Sequence, residues 1–351
     1  MFDFIFKLQM FADAGNTVNT TTGTVNAYTG AATPGTQGKD MSPTMKTFYD
    51  TALLENARAE AVYGQIGKQQ ALPAHHGKTV EWRKWNTLTA PDKLEEGVIP
   101  NGKKFGQSYI DVTIAQYGEY VTVSDVLEMH AVDDVILGAT EEVGAAMGKE
   151  ADLLTRDAIL AGSTVVQYAS AGGTAPSEIS GVGKDNLFTP DEVARAVTTL
   201  KKGNAPTIDG KYIAVIHPSV AYDLRKDEAW VNYHQYDAST EIFTGEIGEL
   251  HGVRFVESTN APVMAGGASG AKVYATMIFG RDAFGVVAPE GAGMEMIIKS
   301  KEQAGGPLNQ FSTIGGKMSH AARVLYPERM VTVYSSSSLS DTDEANWVDR
   351  D

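Results

Sequence analysis

The residues best equipped for chemistry in this chain are seven histidines and several paired carboxylates, and neither set has the spacing that chemistry requires. The histidines are His75, His76, His130, His217, His234, His251 and His320. None forms an i, i+4 pair around a glutamate, the helical arrangement that binds zinc. Their default place is an exposed loop. Cysteine is absent, which excludes disulfides, thiolate nucleophiles and thiolate metal sites. His217 follows a strand-like run and precedes a helix-like one, a position where active-site residues often lie. It lacks a Ser, Cys or Asp partner at motif spacing, so the expectation is a strand-end ring that packs or makes one hydrogen bond. Gly77-Lys78-Thr79 resembles the end of a phosphate-binding loop. That motif needs a glycine where Leu72 stands, and it must open a helix rather than a strand. No G-x-S-x-G or G-x-G-x-x-G pattern occurs. The pairs Glu95-Glu96 and Glu141-Glu142 read as solvated acids, and no Asp-rich loop has calcium-ligand spacing. The expectation is no catalytic residue, no cofactor and no metal.

The charged residues that remain of interest lie in one excursion, Asn86–Ser108, rich in Pro, Gly and charge. It carries both signs: Asp92, Glu95 and Glu96 against Lys93, Lys103 and Lys104. Two strand-like segments flank it, Gly77–Trp85 and Tyr109–Asp125. In the second, Ile110, Val112 and Ile114 alternate with Asp111 and Thr113, the period of a strand with one dry face. The apolar set then moves to Val121 and Val123, a change of phase that a β-bulge at Gly118 would explain. A hairpin this long with so polar a tip makes sense if the tip lies on a neighbouring copy of the chain. Mixed charges there would fix register more than add affinity. Trp82 and Trp85 are three apart and face opposite sides of their strand, so at least one should be buried. The candidate inter-subunit contacts are therefore Trp82, Trp85, Asp92, Lys93, Glu95, Glu96, Lys103 and Lys104.

The elements that must position this hairpin are legible in outline. Residues 1–15 could form a short amphipathic helix, and 15–40, poor in large apolar side chains, read as a flexible arm. Ser42-Pro43 caps a helix to about Ala59. Asp133 or Asp134 opens a long helix to about Ala161, ended by Gly162. Its residues Ile136, Val143, Met147, Leu154 and Ala158 form one apolar stripe. Thr189-Pro190-Asp191-Glu192 reads as a capping box opening another helix. Lys211–Ile216 is a strand of a covered sheet, and His217-Pro218-Ser219 starts a helix to about Asp227. Val253–Glu257, Tyr274–Phe279 and Met294–Lys299 read as strands, and 318–334 as one long strand. The tail from Ser335, four serines and then acids, reads as disordered.

Composition limits the partners. The 351 residues carry 29 basic and 44 acidic side chains, a net charge of −15. Such a surface repels nucleic acid on average, so sequence-specific duplex binding is not expected. No run approaches the ~20 apolar residues that span a bilayer. The first fifteen residues interrupt their apolar character with Asp3, Lys7 and Asp13, unlike a secretory signal.

Several segments, in order, resemble a known family. They are SPTMKTFYDTALLENAR (42–58), GKTVEWRKW (77–85), LEEGVIPNGKK (94–104), QYGEYVTVSD (116–125), GKEADLLTRDAILAG (148–162), YIAVIHPSVAYDLRKDEAW (212–230), IFGRDAFGVV (278–287) and the stretch from Pro307 to Val333. Together they resemble the major capsid proteins of tailed bacteriophages, in particular the capsid family named after the N-four-like phages. That resemblance implies an α+β, Hong Kong 97-type fold with an N-terminal arm, an extended hairpin loop, a peripheral domain with a long spine helix, and an axial domain. It implies an arm at 1–60 (1–40 largely flexible), extended loop and flanking strands at 61–132, and spine helix and peripheral domain at 133–187. An axial domain would occupy 188–290, return strands of the peripheral domain 291–334, and a flexible acidic tail 335–351.

The implied function is a shell protein and not an enzyme. Copies would assemble as hexamers and pentamers into an icosahedral capsid that encloses double-stranded DNA without reading its sequence. The resemblance implies a virion capsid location, assembly in the host bacterial cytoplasm, and scaffold, portal and possibly decoration proteins as partners, with no membrane. Some relatives cross-link subunits through a Lys–Asn isopeptide. Lys103 or Lys104 could donate by position, but no acceptor or catalytic Glu can be assigned, so no cross-link is expected. The competing readings are an encapsulin-type compartment, which would carry cargo protein, and an α/β enzyme with an unrecognised site, which would show a deep pocket within one subunit.

Overall fold

A computed structural model describes residues 17–20, 23–26, 62–73, 77–86, 88–91, 93, 102–131, 134–231, 246–290, 293–304, 308–341 and 343–347. The expected helices at 1–15 and Ser42–Ala59 lie outside these residues. In chain order the elements begin with β1 (Thr17–Thr20), β2 (Gly23–Asn26), α1 (Tyr63–Ile66), β3 (Lys68–Leu72), β4 (Thr79–Trp85), β5 (Gln107–Thr113) and β6 (Ala115–Ser124). There follow α2 (Asp125–His130), α3 (Val135–Ala161), β7 (Val166–Tyr168), α4 (Pro190–Lys202), β8 (Tyr212–Ile216) and α5 (Pro218–Lys226). The chain continues with β9 (Glu246–Leu250), β10 (Val253–Glu257), β11 (Val263–Met264), β12 (Val273–Phe279), β13 (Phe284–Pro289), β14 (Met294–Lys299), β15 (Phe311–Val324) and β16 (Met330–Ser335). The fold is mixed α+β, and it divides into two units. Within 15–40, read from the sequence as a flexible arm, β1 and β2 pair with each other, and Asn19 bridges Val123 of β6.

The first unit takes in β1, β2 and residues 116–148 and 293–318. Its sheet runs β2-β1-β6-β15, with β14 also paired to β15. Val123, Leu127, Val135 and Ile314 form its buried core. Ser124 caps α2, its hydroxyl accepting from the Leu127 N–H at 3.3 Å, and the Asp125 N–H donates to Gln310 at 2.8 Å. The first turn of α3 donates the N–H groups of Ile136 and Leu137 to Asp134 Oδ1 at 3.1 and 3.0 Å, so Asp134 is the cap the sequence suggested. Val143 and Met147 of the apolar stripe are buried. A Cβ on Gly316 would lie 2.8 Å from Met147 Cγ and 3.0 Å from Val143 Cγ1, which accounts for glycine at that point of β15.

Gly118, where a bulge was expected, lies within β6, and the half-buried positions pass from Ile110, Val112 and Ile114 to Tyr117 and Val121. A Cβ at Gly118 would stand 2.9 Å from the Gly316 carbonyl oxygen. Close approach of two backbones is the reason for glycine there.

The second unit takes in residues 62–115, 149–290 and 319–347. Its larger sheet runs β7-β16-β12-β8-β10-β9, with β11 on β12. Both faces are covered, as the apolar run of β8 implied. Ala214, Ile216, Ile278, Val331 and Val333 pack with Val193, Leu200, Val220 and Leu224 of α4 and α5. Val215, Met277, Phe279 and Met330 face the other way, against Tyr63, Ile159, Leu160 and Phe284. Each such side chain removed from water contributes roughly 1.5–3 kcal/mol. Strand β13 pairs with β3 in parallel and with the end of β15.

Two further expectations change here, at 318–334 and at α4. Residues 318–334 are not one strand: Pro327 opens a 3-10 turn, Pro327–Arg329, between β15 and β16. Of 291–334, β14 and β15 belong with β6, whereas β16 pairs with β12 and β7. At α4, Thr189 makes no side-chain capping bond. Glu192 is buried, and instead of closing a capping box it accepts the Ser170 N–H at 2.9 Å and the Ser170 hydroxyl at 2.7 Å.

The tail is a further correction. Ser335, Ser336, Ser337 and Ser340 are buried. Asp223 accepts the Ser337 hydroxyl and the Ser338 N–H, both at 2.8 Å, and Lys184 pairs with Asp341 at 2.7 Å. Asn346 bonds to the backbone of Val263, and Trp347 packs against the core. A serine- and acid-rich segment looks disordered by composition, yet here Ser337, Ser338, Asp341, Asp343 and Asn346 meet partners on the folded unit.

Candidate assembly interface

Strands β4 and β5 form the expected antiparallel hairpin, in register from Thr79↔Thr113 through Trp82↔Ile110 to Trp85↔Gln107. Alternation gives it two unlike faces. Val80, Trp82, Lys84, Ile110 and Val112 are half-buried, while Glu81, Arg83, Trp85, Tyr109 and Asp111 are exposed.

The half-buried face rests on its own subunit. A Cβ on Gly285 would lie 2.8 Å from Trp82 Cζ2, so the absent side chain makes room for the indole. The indole N–H is buried without a hydrogen-bond partner among the described residues. Lys84 Nζ lies 2.8 Å from Glu328 Oε1 and 4.2 Å from the centre of the Tyr326 ring, and the Arg329 guanidinium covers that ring at 3.7 Å. Burial pushes the Glu328 carboxyl up, but hydrogen bonds from Lys84 and its own backbone, with the charges of Lys84 and Arg329, outweigh it and leave the group below its ordinary range.

The other face is open. Trp85 and Phe105 stack at 4.6 Å between ring centres, 16° from parallel, with 62% and 55% of their surfaces exposed. Leu88 and Tyr109 are also exposed. Two aromatic rings stacked together and left in water present the kind of apolar anchor that interfaces bury. Phe105, Leu88 and Tyr109 were missed in the sequence because only charges and tryptophans were weighed; aromatic residues flanking a turn were the available signal.

Of the sequence candidates, Trp82 and Trp85 take the opposite faces their spacing required. Lys93, Lys103 and Lys104 are exposed, and the Lys103 ammonium donates to the backbone carbonyls of Thr89 and Ala90, across the hairpin's own loop. Asp92, Glu95 and Glu96 lie outside the described residues.

His217 offers a test of the enzymatic alternative. Its Nδ1 accepts the Ser219 N–H at 3.3 Å, its ring packs 5.1 Å from that of Tyr274, and Asp343 lies 3.8 Å away. Burial lowers its pKa, partly offset by the Asp343 charge. In a nucleophilic triad the serine hydroxyl would face the imidazole. Here Ser219 and Tyr274 both give their hydroxyls to Asp343, at 2.5 Å each. The group ties the tail to the fold. His320 departs from the exposed-loop expectation: it is half-buried, with Nε2 2.9 Å from the Thr155 hydroxyl, and burial lowers its pKa. His130 and His251 are exposed, and His75, His76 and His234 lie outside the described residues. Among the described residues no His, Cys, Asp and Glu cluster could hold a metal ion. No helix among them is long and apolar enough to cross a membrane.

Comparison with solved structures places this fold among phage capsids. It is similar to the capsid of cyanophage Pam1 (TM-score 0.65, 14% identity, covering 86% of this chain and 99% of that one). It is similar also to the capsid of cyanophage P-SCSP1u (0.63, 16%, 86% and 96%) and to a chain of Mycobacterium phage Che8 (0.60, 18%, 82% and 96%). No curated protein matches. A family model described as phage capsid protein matches residues 108–333, from β5 through the large sheet to β16. With well over half of its length matched, this chain belongs to the phage capsid protein family.

Proposed function

We propose that this chain is the major capsid protein of a tailed double-stranded DNA phage, assembling as hexamers and pentamers into an icosahedral shell around the genome. The family match over 108–333 carries this reading. The Hong Kong 97-type plan gives each part a role. Residues 1–60 would be the arm, 61–132 the extended loop with its flanking strands, 133–187 the spine helix and peripheral domain, and 188–290 the axial domain. Residues 291–334 would return to the peripheral domain. The role is structural, and the net charge of −15 suits a wall that encloses DNA without gripping it. Scaffold and portal proteins are the partners such a shell requires, with decoration proteins as optional ones, and assembly takes place in the host cytoplasm before the protein resides in the virion.

In this reading the β4–β5 hairpin is the extended loop, and its exposed face lies on the next subunit of the ring. Such contacts are heterologous and close into rings. Trp85 and Phe105 would be the buried anchor, and Lys93, Lys103 and Lys104, with Asp92, Glu95 and Glu96, would set the register. The double variant Trp85→Ala/Phe105→Ala tests this by analytical ultracentrifugation. The expected result is a folded subunit that fails to reach shell-sized species. Parent-like assembly would remove the hairpin from the interface.

A further inference from the structure

We propose that the tail segment 343–347 is a strap that fixes the backbone at Val62–Tyr63, on the far side of the sequence, through a relay of four side chains. Asn346 is its first member. Its Oδ1 accepts from Arg156 Nη1 at 3.3 Å, and its carbonyl accepts from Arg156 Nη2 at 3.3 Å. Arg156 Nη1 also donates to the Asn260 carbonyl at 2.9 Å. The Asn260 amide donates to Asp152 Oδ2 at 3.0 Å. Asp152 Oδ1 then accepts the N–H groups of Val62 and Tyr63 at 3.0 and 2.8 Å.

The relay is dry. Arg156 is 1% exposed, Asp152 2% and Asn260 3%. Buried polar groups that share partners reinforce one another, and one member left unpaired costs more than the bond it made. Arg156 keeps Asp157 as a charge partner at 2.7 Å whether or not the strap is docked. Losing Asn346 therefore does not strand a charge. Losing its side chain frees one Nη1 N–H, because the acceptor of Nη2 is the main-chain carbonyl, and the fork turns to satisfy it. The guanidinium is a rigid plane, so turning it withdraws the donor that holds Asn260, and Asn260 is what orients Asp152. The strap thus acts on Val62–Tyr63 without touching them, and Asn346 is a positioning residue. The inference stands independently of the capsid reading.

Hydrogen exchange on the full-length Asn346→Ala protein tests it, read at the amides of Val62 and Tyr63 against those of β8. The expected result is about tenfold faster exchange at Val62 and Tyr63, the scale of one or two lost buried hydrogen bonds, with β8 unchanged. Asn346→Asp keeps the acceptor for Arg156 and Val263 but loses the amide donors to the Thr259 and Ala261 carbonyls, so it should lose less protection at Val62 and Tyr63 than Asn346→Ala does. It carries the test if Asn346→Ala fails to fold. Lys184→Ala removes a surface ion pair of the same tail and should leave Val62 and Tyr63 as they were. Parent-like exchange in Asn346→Ala, a loss in Asn346→Asp as large as in Asn346→Ala, or equal loss in Lys184→Ala would each overturn the proposal.

Discussion

Trp82 and Trp85 stand three residues apart on β4, and one has its place inside the subunit while the other has none. Trp82 fills the space above Gly285, and its indole N–H has no partner among the described residues. Its contribution is apolar packing. Trp82→Ala should therefore destabilise the subunit by about 2–3 kcal/mol, whereas Trp82→Phe should cost under about 1 kcal/mol, because no hydrogen bond is lost. Urea unfolding of the unassembled subunit measures both. Trp85→Ala removes one exposed stacked ring and should change that stability by no more than about 1 kcal/mol. Equal costs for the two alanine variants would contradict the assignment of faces. Glu328 supplies a pH test at the same scale. Its folded-state pKa lies below the ordinary value of 4.5, so the native state holds fewer protons than the unfolded one between the two. The stability it contributes is present above about pH 4.5 and is lost as pH falls through the folded value. Glu328→Gln should flatten that part of the acid limb, read as hairpin amide exchange against pH.

Among the elements, β6 and β15 show what close backbone packing demands. Gly118→Ala would press a methyl group against the Gly316 carbonyl, and neither backbone yields easily. A loss of about 1–3 kcal/mol is expected in thermal unfolding; a neutral result would contradict the close approach. The α3–β15 contact carries a second pH dependence. Burial lowers the His320 pKa below 6.5, so the unfolded state binds more protons as pH falls past that value. Stability from this group is present above pH 6.5 and is lost as pH drops through the folded pKa. His320→Gln should remove this component of the melting temperature's pH profile, while the His217 component remains.

Across the whole molecule, the sequence showed what local periodicity can show. The hairpin was legible because its strands alternate, and α3 because its stripe repeats at helical spacing. The polar half of α3 was not legible. Asp152, Thr155 and Arg156 are buried by partners at 62–63, 320, 260 and 346, and no local pattern announces contacts over 89 to 190 residues. The tail was missed for the same reason: its serines and acids have low hydrophobicity, and their partners, Asp223, Ser219, Tyr274 and Lys184, are remote in the chain. The exposed aromatic pair proposed as the anchor was half legible, with Trp85 recognised and Phe105 overlooked.

The central claim is that copies of this chain close into a shell with the β4–β5 hairpin across the subunit boundary. Cryo-electron microscopy of the purified native assembly tests it most directly. The account predicts closed icosahedral particles with DNA inside and the Trp85–Phe105 stack buried against a neighbouring copy. A discrete monomer or dimer, even at high concentration with its scaffold protein, would contradict the shell. Closed particles with that stack left in solvent would contradict the interface.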